Sequence, residues 1–450
     1  MAVSFPDPEA ADRLNRLVKA ALAAGASAAD AVEFRNVSAS VAFRLGKLED
    51  TDRAEASDLG LRVFVGRKVA FVSSTDFSRG ALDVLPARAI AMAKLAPDDK
   101  FASLAPADRL AKTVPLLDIE DAGEPSTEAL VERARAAEGA ALAVKGVTNS
   151  EGGGASFSRT MVTLATSEGF LGGYTGTSHG VGVSVIAGEG TAMEADHDSA
   201  SARHGADLES AEAVGKRAGE RAVKRLSPRK VKTQSVPVFY DQRVASSLLG
   251  HFAGAISGSA IARDVSFLKD KMEQLVFADG VSIIDDPHMK RGRRSKPFDG
   301  EGVENRRFVL VDNGRLTTWL LDTASARQLD LATTGHAARG TSGPPSPAAT
   351  NLYMEPGAQS PKQLMADLRE GFYVTDLIGM GVNGVTGDYS RGAAGFWIEN
   401  GELAFPVSEV TIAGNLKDMY RALTPANDLV FRHGVNAPTI RIEGMTIAGA

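Results

Sequence analysis

The chain contains seven histidines and no cysteine, and these two facts limit the metal chemistry open to it. A zinc-peptidase helix places two histidines four positions apart with a glutamate beside the first. No two histidines of this chain have that spacing together with an adjacent glutamate. The lack of cysteine also excludes thiolate zinc sites, disulfides and cysteine nucleophiles. The standard zinc-peptidase motif is therefore absent.

One segment does contain the side-chain types of a metal site. Its members are Glu194, Asp196, His197, Asp198 and His204. The pattern supplies ligand types without ligand geometry, which is weak support for a metal. Acidic and histidine residues at a strand end and the loop after it are commonly only hydrated. We therefore favour a solvated surface over a metal site.

A second group of carboxylates lies in a stretch rich in turn residues. Asp285, Asp286, Asp299 and Glu301 could act as an acid/base pair or bind a cation. Aspartate is also common in turns and before proline for conformational reasons. We favour the turn interpretation. A hydrolase that uses these carboxylates with a bound cation stays open as an alternative.

The composition is that of a globular protein. The chain has 450 residues, of which 44% are hydrophobic and 24% charged. Because single cores stop growing near 250 to 300 residues, roughly, this length predicts two domains. A basic polar link at 227–235 divides them. We predict an N-terminal α+β domain over 1–228 and a β-rich C-terminal domain over 236–450, each with a largely antiparallel sheet packed with helices.

Charge and hydropathy exclude two classes of function. The net charge of −6 argues against direct binding of nucleic acid. The first residues have neither a basic nor an apolar leader region, so we expect a cytoplasmic protein. Residues 244–262 carry no formal charge over 19 positions, but serines and a histidine interrupt them. A buried helix of small residues fits this stretch better than a membrane span.

The patterning predicts which elements position these residues. Amphipathic helices are predicted at 7–24, 79–95, 127–144 and 207–226. Short strands with glycine-rich turns at 152–154, 172–173 and 188–190 are predicted between the last two helices. In the second half, Asn313-Gly314 and Asn400-Gly401 each predict a β-hairpin with a type I′ turn, because Asn-Gly tolerates positive φ at both turn positions.

Several separate motifs of the second half, in order, resemble the TldD/PmbA family, and within it the PmbA branch, also called TldE. They are LLGHFAGAISG at 248–258, SFLKDKM at 266–272, DDP at 285–287, PFDGEG at 297–302, NLYMEPG at 351–357, VTGDYSRGAAGFWIENGELAFPV at 385–407 and EVTIAGNL at 409–416. The first half is similar to the family's N-terminal domain in length and order of elements.

The resemblance bears directly on the small-residue helix. In the TldD branch this helix carries a His-Glu-x-x-x-His zinc motif, and a later cysteine completes the metal site. Here Gly250 and Ala255 stand at the two histidine positions and His251 at the glutamate position. A catalytic zinc needs about three protein ligands. The resemblance therefore implies no cofactor in this chain, zinc in a TldD-like partner, and a chain that is inactive alone.

The PmbA branch is regarded as the non-catalytic partner of a TldD-like subunit in a two-chain metalloprotease. The resemblance implies a scaffold that contributes part of a groove for unfolded or extended peptides. Asp388, Tyr389, Ser390 and Arg391 of the signature segment are the candidate contacts to substrate or partner, although a turn between packed strands explains the same residues. Pairing with a second copy is a further expectation. The family's older label suggests an alternative, an adaptor acting on DNA gyrase or a toxin–antitoxin pair without proteolysis.

Overall fold

The N-terminal half combines four helices with one large sheet. The structure, a computed structural model, describes residues 7–449. Residues 1–6, on which part of the leader prediction rests, and residue 450 lie outside the described residues. The elements of this half are α1 (Pro8–Ala23), β1 (Ala28–Arg44), β2 (Lys47–Val65), β3 (Lys68–Ser74), α2 (Arg79–Leu95), α3 (Thr127–Leu142), β4 (Val147–Thr166), β5 (Leu171–Ala187), β6 (Glu194–Ala202) and α4 (Ala211–Lys224).

The six strands of this half form one antiparallel sheet in the order β3-β2-β1-β4-β5-β6. Helices α1 and α2 pack on the β1 to β3 part, whereas α3 and α4 pack mainly on β4 to β6. Each helix begins with a side-chain cap, such as Asp7, which accepts the backbone N–H of Ala10. All four predicted helices are present, with ends that differ by a few residues.

Two of the three predicted glycine turns are wrong. Gly153 and Gly172 lie inside the long strands β4 and β5, and only Gly188 lies in a turn between strands. A Cβ on Gly153 would lie 2.7 Å from the carbonyl oxygen of Ala134 in α3, and one on Gly172 would lie 2.7 Å from the Phe170 ring. These glycines therefore permit close packing on the sheet and do not reverse the chain.

The C-terminal half contains shorter elements and more loop. They are β7 (Gln234–Tyr240), α5 (Gln242–Ala255), α6 (Gly258–Ala262), β8 (Ile283–Asp285), β9 (Phe308–Asp312), β10 (Arg315–Leu316), α7 (Thr323–Gln328), β11 (Ala337–Ala338), β12 (Ser346–Pro347), β13 (Leu352–Met354), α8 (Pro361–Met365), β14 (Glu370–Ile378), β15 (Asp388–Glu399), β16 (Glu402–Asn415), α9 (Leu416–Arg421), β17 (Leu423–Pro425), β18 (Val435–Asn436) and β19 (Ile440–Ala448).

The main sheet of this half closes on itself. Its order is β16-β15-β14-β7-β19-β17, and a further pairing joins β16 to β19, so five strands form a ring. All of these pairings are antiparallel except β7 with β14. The small-residue helix α5 packs on this sheet, and its buried face joins the largest hydrophobic core. The prediction of an α+β fold with largely antiparallel sheets is confirmed.

Both predicted hairpins of this half are confirmed. Asn400 and Gly401 join β15 to β16 with φ of 50° and 81°, and Asn313 and Gly314 join β9 to β10 with 46° and 79°. These angles fit the two central positions of a type I′ turn. The helix predicted over 244–262 is present as α5 and the short α6. No helix within residues 7–449 is long and apolar enough to cross a membrane.

A buried ionic network joins the two halves. Asp30 on β1 and Arg62 on β2 form an ion pair at the sheet surface. From the C-terminal half, Arg339 lies 2.8 Å from Asp30, and Glu301 lies 3.6 Å from Arg62. All four side chains are at most 5% exposed. Burial by itself would raise the pKa of Asp30, but Arg339 and Arg62 together hold that pKa below its ordinary value.

Candidate functional site

A cleft of about 500 Å³ lies where the two halves meet. The N-terminal half contributes β6 and α4 to its walls. The C-terminal half contributes the first turns of α5, strands β14 and β15, and the segment 428–439. A second cavity of about 510 Å³ shares Arg221, Arg243 and Tyr373 with the first, and its far wall includes Phe396 and Phe405. The two cavities together offer a polar part and a more apolar part.

Helix α5 is anchored at its N-terminus and at its middle turn. Asp241 caps its N-terminus by accepting the backbone N–H of Arg243, and the Tyr373 hydroxyl donates to the same carboxylate at 3.0 Å. Leu248 and Phe252 are buried on the core side. The Tyr420 hydroxyl donates to the Leu248 carbonyl at 2.9 Å. The position of the helix beside the cleft is thus fixed by core packing and two tyrosines.

The three positions of the altered zinc motif have different environments. Gly250 is exposed, and a Cβ built there would meet nothing within 4 Å. Ala255 is 5% exposed and packs into the core. The His251 ring is half-buried, 6.1 Å from the Tyr389 ring at 79°. Burial lowers the pKa of His251, and the nearby Arg391 guanidinium lowers it further.

These side chains do not fit a zinc ion. Glycine and alanine offer no ligand atom, so His251 is a single imidazole where a catalytic zinc needs about three ligands. Within residues 7–449, no three histidine, cysteine, aspartate or glutamate side chains come together as a metal site.

The four candidate contact residues are the first four positions of strand β15, and their exposure alternates along it. Asp388 and Ser390 are exposed, whereas Tyr389 is 1% exposed and Arg391 is half-buried and lines the cleft. Thr386 and Asn415 donate to the Asp388 carboxylate, and these hydrogen bonds lower the pKa of Asp388. The Tyr389 side chain is buried between β15 and α5, against the His251 ring, so of the four residues it is the one enclosed by the fold.

The acidic and histidine residues around β6 do not converge. Asp196 and Asp198 are buried and face the helices, where arginines hold them: Arg243 lies 2.9 Å from Asp196, and Arg221 lies 2.8 Å from Asp198. The remaining members of the group point elsewhere: Glu194 lies 3.5 Å from Arg225, His197 is exposed, and His204 contacts Asp118. The solvated surface that we expected for these carboxylates is thus wrong for the two buried aspartates, which form ion pairs.

The carboxylates of the loop region are occupied by donors of the chain itself. Asp299 accepts backbone N–H groups from Glu301, Val303 and Ala337. Asp285 accepts both the N–H and the hydroxyl of Thr350 at 2.6 Å. The two other members are held in the same way: Asp286 accepts the His288 N–H, and Glu301 accepts the Thr323 N–H. These contacts support the turn interpretation.

Comparison with known proteins identifies the family to which the chain belongs. Models of the PmbA/TldA metallopeptidase match in three parts: domain 1 over residues 29–93, the central domain over 120–226 and the C-terminal domain over 233–449. The metalloprotease PmbA of Escherichia coli O157:H7 is 37% identical over 97% of this chain and 96% of its own length. The chain belongs to the PmbA/TldD family. It is a metalloprotease-related protein of that family, and a PmbA homologue of Haemophilus influenzae is 36% identical over 96% of this chain and 94% of its own length.

Solved structures of the PmbA/TldD fold agree. A protein of Bacteroides thetaiotaomicron that carries the name of a modulator of DNA gyrase superposes with a TM-score of 0.90 at 26% identity, over 99% of this chain and all of the other. TldE from Thermococcus kodakarensis superposes with a TM-score of 0.88 over 97% of this chain and 99% of its own. At 19% identity this second likeness shows the fold alone.

The sequence reasoning found Arg391 but missed most of the cleft. The sequence analysis named His197 and Asp198 of strand β6 without connecting them to Arg391, and segment 428–439, far away in the chain, carries no motif. The one available signal was Asp241 directly before the small-residue helix, which marks where that helix begins. In this PmbA/TldD chain, helix α5 can thus be predicted from the sequence, whereas the walls of the cleft around it are recognised only in the folded structure.

Proposed function

We propose that this chain is the non-catalytic subunit of a two-component metalloprotease of the TldD/TldE type. In this role it contributes the scaffold and part of the groove for unfolded or extended peptides, while zinc and the chemistry belong to a TldD-like partner. The observation that carries the proposal is the altered motif on α5, because Gly250, His251 and Ala255 supply one imidazole in place of a ligand set.

The cleft supports a role in holding an extended chain. Its two cavities are continuous through Arg221, Arg243 and Tyr373, and they combine charged and aromatic walls. Strand β6 lies at the end of its sheet with one side unpaired by any described strand. Side chains of the chain itself already bind the backbone of His197 on that strand: its N–H donates to the Asp196 carboxylate and its carbonyl accepts from Arg221, so a peptide would pair at other positions of β6. An extended peptide can add to such a strand through its main chain.

The decisive experiment measures cleavage of an unfolded protein by this chain alone, by its TldD-like counterpart alone, and by the two mixed. Zinc is quantified in each preparation. We expect cleavage by the mixture only, with zinc in the counterpart. Cleavage by this chain alone would contradict the proposal and direct attention to the carboxylate loop.

Two controls sharpen this experiment. A counterpart with its zinc-motif histidines replaced by alanine, mixed with this chain, is expected to lose cleavage, which assigns the chemistry to the counterpart. The folded form of the same substrate protein is expected to resist cleavage, because cavities of about 500 and 510 Å³ hold a short extended segment and not a folded domain. Cleavage that survives the alanine counterpart would place catalytic residues in this chain.

The adaptor alternative makes the opposite prediction. Structural relatives carry the name of modulators of DNA gyrase. If this chain acts as an adaptor on gyrase or on a toxin–antitoxin pair, the mixture cleaves nothing and the chain instead binds one of those proteins. The third alternative, an independent hydrolase with a carboxylate-bound cation, is disfavoured, because donors of the chain already occupy Asp285 and Asp299.

We further propose that the complex works in the cytoplasm and that the chain pairs with itself when the partner is missing, since homologous subunits often keep one interface. Size-exclusion chromatography with light scattering, run with and without the counterpart, tests the self-pairing. An isolated chain that stays monomeric at micromolar concentration would contradict it.

A further inference from the structure

Three side chains meet between α5 and β15 at the inner end of the cleft. Tyr389 and Arg391 are two positions apart on β15, so they point to the same face of the strand. His251 of α5 lies against the Tyr389 ring. Arg391 lines the cleft, as does Ser247, one helical turn before His251. Arg391 therefore reaches the cavity, and His251 and Tyr389 lie enclosed behind it.

Each of the three has a buried polar atom that finds no hydrogen-bond partner among residues 7–449. These atoms are Nε2 of His251, the hydroxyl of Tyr389 and Nε of Arg391. The Tyr389 hydroxyl lies near Tyr240 and Arg391, which oppose the rise that burial causes in the pKa of Tyr389, yet it reaches hydrogen-bond geometry with neither. Buried polar groups are almost always paired in folded proteins. Three unpaired atoms in one group therefore indicate a ligand that supplies acceptors.

The charges around the cleft indicate the sign of that ligand. The other charged groups nearby are already engaged: Asp198 is held by Arg217 and Arg221, Asp376 lies 3.4 Å from Arg225, Asp196 binds Arg243, and Asp428 accepts from Thr439. Arg391 differs, because its only hydrogen bond among the described residues is a long one of 3.4 Å to the Leu377 carbonyl. A guanidinium with free N–H groups facing a cavity suits a carboxylate.

We propose that Arg391, together with His251 and Tyr389, binds a carboxylate of the peptide that occupies the cleft. This inference rests on the proposed function, since it assumes that the cleft holds peptide. The carboxylate comes either from the C-terminus of the peptide or from an aspartate or glutamate side chain. The position of the altered zinc motif thus becomes a recognition site: the imidazole that stands at the glutamate position donates to the substrate.

The test uses three synthetic peptides of one apolar sequence, titrated into the full chain by calorimetry. The first is acetylated and amidated and has no carboxylate, the second has a free C-terminal carboxylate, and the third is amidated with one central glutamate. We expect one of the two charged peptides to bind roughly 10- to 100-fold more tightly than the neutral one, as charge-assisted pairs in a cleft do. The charged peptide that binds more tightly than the neutral one identifies the source of the carboxylate.

Variants assign this gain to the three side chains. Arg391→Met is expected to abolish the difference in affinity between the charged and the neutral peptide. Arg391→Lys, which keeps the charge without the planar fork, is expected to retain part of it, and His251→Ala provides an independent variant if loss of Arg391 disturbs folding. The matched control is Arg79→Met, which removes the same charge from a side chain that is 95% exposed on α2.

Two results of the titration would overturn the inference, and they differ in whether they also refute the peptide cleft of the proposed function. If neutral and charged peptides bind equally to the wild type, the carboxylate site is refuted and the peptide cleft stands. If none of the three peptides binds, the peptide cleft of the proposed function is refuted with it. A gain that survives both Arg391→Met and His251→Ala would place the carboxylate site elsewhere.

Discussion

Glu301 is a carboxylate enclosed where the two halves of the chain meet, and its protonation should affect stability. It is 2% exposed and faces Arg62, with Asp30, Arg339, Asp299 and the buried Lys296 close by. Burial raises the pKa of Glu301 to about 7; Arg62 opposes this rise and Asp299 adds to it. In the unfolded chain the pKa returns to its ordinary value of 4.5.

The sign of the pH dependence follows from these two pKa values. Between them the folded chain binds more protons at Glu301 than the unfolded chain does, so the contribution of Glu301 to the free energy of unfolding falls as pH rises from about 5 to about 7, opposite in sign to that of the buried histidines. We expect Glu301→Gln to remove this slope, as measured by urea unfolding at several pH values. Glu49→Gln, on an exposed side chain of β2, is the control and should retain the slope. A slope unchanged in Glu301→Gln would show that other groups cause it.

Helices α4 and α5 both contain two glycines, but the glycines have opposite environments. A Cβ at Gly250 or Gly254 of α5 would meet nothing within 4 Å. A Cβ at Gly215 of α4 would lie 2.0 Å from the carbonyl oxygen of Ala137 in α3. Glycine in α4 is therefore needed for close packing on α3. Glycine in α5 faces open space within the described chain.

Alanine substitutions should separate the two helices. Gly250→Ala and Gly254→Ala are each expected to stabilise the isolated chain by about 0.5–1 kcal/mol, because alanine restricts the unfolded chain and favours helix. Gly215→Ala should destabilise it by about 1–3 kcal/mol through overpacking. Thermal and urea unfolding of the three variants measure these changes. A destabilised Gly250→Ala chain would mean that the α5 surface is not open.

At this scale the sequence predicts what is local. Asn-Gly pairs specify their own turns, and the helices follow from apolar spacing and caps. The glycines of β4 and β5 were misjudged because their role depends on α3 and on Phe170, which approach them only in the folded chain. The cleft was missed for the same reason. Arg391, Arg243 and His197 lie on separate elements, and no local pattern connects them.

The whole molecule is held together across its halves by the network of Asp30, Arg62, Arg339 and Glu301. We propose that the chain divides into domains near the link 227–235, at 1–228 and 236–450. The first two family domains share one sheet through the pairing of β1 with β4, so they should fold together. The ionic network would then be a fully buried polar contact between two folding units, beside ion pairs such as Arg243 with Asp196 and Arg291 with Asp118.

Breaking this network should be costly. Arg62→Met leaves Asp30 with Arg339 as its remaining partner and removes the β2 cation that faces Glu301. Because buried carboxylates then lose their counter-charge, we expect the free energy of unfolding to fall by about 3–5 kcal/mol. Limited proteolysis should then cut at 227–235 more rapidly. Arg53→Met, on the same strand but 53% exposed beside Glu124, should cost less than about 1 kcal/mol. Equal effects of the two substitutions would contradict the structural role of the buried pair.

The buried aspartates of β6 also have a consequence for how the protein behaves at high concentration. The edge strand of a sheet has free backbone N–H and carbonyl groups that can pair with another chain and cause aggregation. Native proteins often prevent such pairing with charged side chains that point inward from the edge strand. Asp196 and Asp198 are such charges, and they are tied to arginines of α4 and α5. A second copy of β6 stacking on this strand would bring four carboxylates together. The inward charges therefore protect this unpaired edge from pairing with a second copy of itself.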